Sequence, residues 1–181
     1  MIRAKQLSTE QLIENTWDLE TVESYCMTCP RYMVHFSCPG HDFNIPAFLS
    51  SYENIVLFLG TYNRSTATED PTEDFLAKRA HIEPLLMHLE KSVNESQALV
   101  AGQCRNCHLE CESIFDVCRM PMLKRYSLES LGFDVAAILR EFFDEPLTFD
   151  PQTMQLVFGL LTKERQSDEM ISLWEELLNE H

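Results

Sequence analysis

The chain has 181 residues, 45% of them hydrophobic, and a formal net charge of -15. That length suits a single domain over residues 1–181, with apolar material for a core of its own. The charge excludes nucleic acid and anionic membrane surfaces as partners, whose phosphates would be repelled.

From the N-terminus, Met1 to Trp17 carries Arg3, Lys5, Glu10 and Glu14 and has no unbroken apolar run of signal-peptide length. No later stretch reaches the roughly 20 apolar residues of a membrane span. A soluble, cytoplasmic protein is expected, in a compartment that keeps thiols reduced.

The first cysteine group follows as Cys26-x2-Cys29-x8-Cys38, directly before Pro39. In a reducing compartment clustered cysteines bind metal more often than they pair, and seven cysteines would leave one over in any disulfide framework. Three thiolates leave a fourth position, open to His35, to His41, to Cys111 or to an exogenous ligand. A histidine there makes a closed zinc site, whereas an open position is what a catalytic metal needs.

After Asn44, Ile45 to Tyr52 reads as about two helical turns, roughly 12 Å at 1.5 Å per residue. Ile55 to Gly60 (IVLFLG) then reads as a strand covered on both faces. Asp70-Pro71-Thr72-Glu73 resembles a capping box, and Phe75, Ile82, Leu86, Leu89 and Val93 continue it as the apolar stripe of a helix that Pro84 should kink or break. Ala98 to Gly102 is a second strand. Strands joined by a helical crossover point the same way, which places both cysteine groups at one edge of a parallel sheet, where α/β folds put ligands.

The second cysteine group, Cys104-x2-Cys107-x3-Cys111-x6-Cys118, supplies four thiolates within fifteen residues. Four thiolates close either a structural zinc site or a [4Fe-4S] cluster. A compact run of three with a later fourth favours the cluster, although x2-x3 departs from the ferredoxin x2-x2. Arg105, Arg119 and Arg125 are candidate cofactor neighbours, whose charge would offset that of an anionic centre; as exposed arginines they need no such role. His108, beside Cys107, is not expected to be a ligand. Ser113 to Ile114 carries no nucleophile motif, and five glycines leave little room for a phosphate loop.

Asp134 can cap a helix over Val135 to Phe143, with Val135, Ile138, Leu139 and Phe142 as its stripe. Met154 to Leu161 is a third strand. Ser167 to Leu178 is a last amphipathic helix, on which Asp168-Glu169 and Glu175-Glu176 read as a solvated face. Ten of the acids fall between Glu141 and His181, against Lys163 and Arg165. A solvated surface is a plainer reading of that excess than a dock for a basic partner.

Cys29-Pro30-Arg31-Tyr32 and Cys38-Pro39, Gly102-Gln103-Cys104-Arg105-Asn106-Cys107, Cys118-Arg119-Met120-Pro121, and the run Arg125-Tyr126-Ser127-Leu128-Glu129-Ser130-Leu131-Gly132-Phe133-Asp134-Val135 together resemble the cysteine-rich, predicted metal-binding family of domain of unknown function 2284. The resemblance spans roughly Cys26 to Leu161. Met33 stands where the family has glycine, Gly40 where it has a second proline, Met120 where it has histidine and Tyr126 where it has proline. The resemblance implies iron-sulfur or other metal binding in a cytoplasm, and it brings no reaction with it.

The expectation is therefore an α/β single domain with a small, mainly parallel sheet of three or more strands, helices packed on it and cysteine-rich loops at one edge. All seven cysteines are expected to be metal ligands, for one or two iron-sulfur clusters of the [4Fe-4S] type used in electron transfer or in redox-linked contact with a protein partner. A metal-dependent enzyme with an open three-cysteine site and a structural zinc protein are the alternatives.

Overall fold

The computed structural model describes residues 1–64, 71–107, 111 and 117–180. Asp70 of the expected capping box, His108 and the stretch Ser113 to Ile114 lie outside them. The order of elements is β1 (Ile2–Ser8), α1 (Thr9–Thr16), α2 (Leu19–Cys26), α3 (Ile45–Leu49), β2 (Asn54–Asn63), α4 (Pro71–Ser92), β3 (Ser96–Leu99), α5 (Val135–Phe143), β4 (Thr153–Thr162) and α6 (Asp168–Asn179).

The strands form one sheet in the order β1-β2-β4-β3. Every neighbouring pair is antiparallel, which overturns the expected mainly parallel sheet. The crossover argument survives in part. β2 and β3 both run antiparallel to β4 and so point the same way, but β4 is inserted between them. An apolar run reports burial on two faces, and an antiparallel strand enclosed by helices shows the same run. Ile55, Leu57 and Leu59 of β2 face one core layer with Leu131, Phe133, Ile138 and Leu139. Val56 and Phe58 face the other, with Ile82, Leu86, Leu89 and Trp174. Each such side chain, fully buried, contributes about 1.5–3 kcal/mol.

α4 continues through Pro84 as one helix, so of the kink or break expected there the break does not occur. α5 has the expected bounds, with the Asp134 carboxylate accepting the Ala136 N–H. Nothing in the sequence reading anticipated β1, α1 or α2. The signal for α1 is local: Ser8 and Gln11 form a capping box, each side chain accepting the other's backbone N–H. β1 is an edge strand, and α6 covers its open side. The Asn179 and Glu175 side chains accept the N–H groups of Ile2 and Ala4, both at 2.7 Å. Glu175, read as merely solvated, thus blunts an exposed edge.

Candidate metal centre

Cys26 is the last residue of α2, whose start is fixed by the Asp18 cap at Thr21. The chain then advances in tight turns: the N–H of Cys29 donates to Cys26 O at 2.9 Å, that of Tyr32 to Cys29 O at 3.0 Å, and that of Cys38 to His35 O at 2.9 Å. The Tyr32 hydroxyl donates to Glu23 Oε1 at 2.9 Å and folds the loop back on α2. These turns bring Cys26, Cys29 and Cys38 to the wall of one cavity of about 340 Å³. Burial pushes the Cys38 thiol up to about 11, and the neighbouring Cys29 and Cys26 push the same way. Burial also raises Cys26, followed by the charge of Glu129.

The second group sits on a loop that leaves β3 and returns beside it, closed at its base where the Val100 N–H donates to Tyr126 O at 2.9 Å. Cys104, Cys107, Cys111 and Cys118 line one narrow cleft with His35, Phe36, Met120, Leu123 and Lys124. About 10 Å³ is open within it, the room of a single water-sized group. The Cys104 sulfur accepts the Arg125 main-chain N–H at 3.4 Å and lies 3.7 Å from Leu123 O. Burial raises the Cys111 thiol, and after it the charges of Cys107, Cys104 and Cys118.

The two groups adjoin at the carboxyl end of β3. Ser37, 1% exposed, lines both recesses, and its hydroxyl accepts the Cys104 N–H at 2.9 Å. Sequence reasoning missed Ser37, because a serine between cysteines carries no ligand chemistry of its own.

Neither histidine proposed as a fourth ligand faces the three-cysteine group. His41 donates Nε2–H to Ser130 O at 2.8 Å and packs against Phe43 and Tyr126. His35 lies 3.1 Å from the Ser37 hydroxyl and lines the four-cysteine cleft instead. Of the candidate arginines, Arg105 and Arg119 are exposed. Arg125 is buried, and its guanidinium holds Glu90, with Nε 2.6 Å from Oε2, while its main chain serves Cys104. Arg79, also missed, is 1% exposed, bonds Glu83 through Nε at 2.6 Å and donates to Gln103 O just before Cys104.

Among the described residues no disulfide joins any of the seven cysteines. Among the described residues, no three His, Cys, Asp or Glu side chains stand close enough to hold a metal ion as placed. The donor chemistry nonetheless fits a thiophilic metal, since the described sulfurs gather in two neighbouring recesses. Among the described residues, no helix is long and apolar enough to cross a membrane.

Residues 6–162 match the model of a family described as predicted metal-binding protein, domain of unknown function 2284, and the chain belongs to that family. No curated protein and no solved structure matches it. Several residues of the resemblance prove structural here. Tyr32 closes a loop and Arg125 anchors Glu90. Asp134 caps α5. Gly132 has φ +90°, and a Cβ there would lie 2.9 Å from Trp17 and Leu19.

Proposed function

We propose, with membership of this metal-binding family as the premise, that the chain holds two iron-sulfur centres and exchanges electrons with a protein partner in a reducing cytoplasm. Cys104, Cys107, Cys111 and Cys118 would ligate one, and Cys26, Cys29 and Cys38 the other. The observation that carries the reading is the placement of both thiol groups at one end of the sheet, joined through Ser37 and Cys104. Such clusters, when bound, take up and release single electrons. The chain's own part is to shield and position the sulfurs. The Arg125 N–H stabilises negative charge on Cys104, and the apolar side chains of Phe36 and Leu123 limit water at the four-cysteine cleft.

Anaerobic purification with iron, zinc and sulfide analysis and a visible spectrum tests this. Iron with acid-labile sulfide, in a brown protein bleached by dithionite, is the expected result. Colourless protein containing zinc and no sulfide would replace it with a structural zinc reading.

A second reading, a metal-dependent enzyme, is favoured by one observation. Among the described residues the three-cysteine cavity is lined by no histidine, and it is large enough to admit a small molecule. Small-molecule ligands that shift the spectrum of the loaded protein would support it; a spectrum indifferent to them would count against it.

A further inference from the structure

Cys26 and Cys29 also line a second, half-open recess of about 690 Å³, bounded by α2, the start of α5 and the first residues of β4. Val22, Phe133, Ala136, Leu156 and Val157 make an apolar wall. At the mouth stand Tyr25, 63% exposed, and Phe149, 90% exposed, which are large apolar groups left in water. Gln155 holds this rim in place, accepting the Thr148 N–H at 2.9 Å and donating to Pro146 O at 3.2 Å.

The charged groups of this wall are all of one sign. Glu129, partly buried, and Asp134 line it, and among the described residues no Lys, Arg or His does. Asp134 is committed to the cap of α5, whereas Glu129 sits at the boundary with the first cavity. Arg79 and Arg31 lie on the far side of that boundary, and Arg79 is already paired with Glu83. A partly buried carboxylate gains most from a cation placed opposite it. Tyr25, Phe133 and Phe149 add aromatic surface on the same cavity, which suits both a ring and a cationic nitrogen, whereas the Phe75 ring already carries the Arg79 guanidinium.

We infer that this cavity binds an apolar organic cation, an amine carrying an aromatic ring, with its ring among Val22, Phe133 and Val157 and its ammonium at Glu129. The charge preference needs no metal. Three thiolates beside a divalent ion leave a negative centre as well, so metal loading would reinforce the preference and not reverse it.

The test is calorimetric titration of the anaerobically purified full chain with 2-phenylethylamine, 2-phenylethanol and 3-phenylpropionate. The amine should bind about ten-fold or more tightly than the alcohol, and the acid most weakly. Glu129→Gln should remove the advantage of the amine and leave binding of the alcohol unchanged. Val157→Trp, which fills the cavity, should abolish binding of both, with circular dichroism showing that the variant is folded. Should either variant fail to fold, methyl NMR of the wild-type chain decides, because the signals of Val22, Leu156 and Val157 should move with added amine. Equal binding of amine and alcohol, an advantage that survives Glu129→Gln, unmoved methyl signals or no binding at all would overturn the inference. Metal content measured on the same sample bears on the iron-sulfur reading alone, so the two can fail separately.

Discussion

The main-chain N–H of Cys104 donates to the hydroxyl of Ser37 across 2.9 Å, linking two loops 67 residues apart in sequence. Both groups are buried, so water cannot replace either partner. Ser37→Ala should therefore cost about 1–3 kcal/mol of stability, the cost of leaving a buried donor unmet. It should also loosen metal at the four-cysteine cleft, since Cys104 loses its anchor. Chemical denaturation together with metal stoichiometry checks this, and an unchanged value in both would show that the link is incidental.

Arg125 acts through two different parts of one residue. Its guanidinium holds Glu90 and the carbonyls of Met122 and Lys124, and this fixes the turn whose N–H reaches the Cys104 sulfur. Arg125→Ala leaves a largely buried Glu90 with the Ala98 N–H as its remaining donor, at a cost of about 3 kcal/mol. Glu90→Gln with arginine retained should cost less, because a neutral acceptor remains for the guanidinium. Thermal unfolding of the two variants should rank them in that order. The reverse order would mean that the pair does not organise the turn.

Met33 occupies the left-handed region at φ 55°, a conformation that favours glycine. A side chain there is strained by about 1–2 kcal/mol, offset in part by the greater unfolded-state freedom of glycine. Met33→Gly is expected to raise stability by about 0.5–1 kcal/mol without altering metal content. A loss of stability in urea titration would show that the methionine side chain is held by packing worth more than the strain.

Tyr62 provides a pH signature in which no cysteine takes part. Burial pushes its hydroxyl up to about 12, and that hydroxyl meets no hydrogen-bond partner among the described residues. A raised acid keeps its proton in the folded state while the unfolded chain loses it. The contribution is thus fully present below pH 10, the ordinary tyrosine value, and is lost as pH rises towards about 12. Tyr62→Phe should flatten the decline of stability over that interval. At neutral pH the substitution should be neutral or stabilising by up to about 1 kcal/mol, because an unpaired buried hydroxyl is removed. A steeper alkaline decline in the variant would contradict the assignment.

The local features were legible in the sequence for local reasons. The Asp134 cap and the stripe of Ile138 and Leu139 define α5 without reference to any other part of the chain. Ile82, Leu86 and Leu89 mark the buried face of α4 in the same way. The runs of β2 and β4 announce strands enclosed on both faces, and the seven cysteines announce thiophilic chemistry. What such runs cannot encode is their neighbour. Residues of β4 are apolar on alternate faces whether the strand lies at an edge or between β2 and β3, so its insertion, and with it an antiparallel sheet, follows from pairing across the whole chain.

The site divides along the same line. By itself the sequence determined which thiols are available and that Cys26, Cys29 and Cys38 fall one short of four. Only the tertiary structure decided that His41 is committed to Ser130, that His35 lines the other recess, and that Ser37, Arg79 and Glu129 close in around the sulfurs. Ligand type is a property of one residue. Whether a fourth donor reaches a site depends on hydrogen bonds and burial contributed by segments far away in the chain, and these are settled only when the core packs.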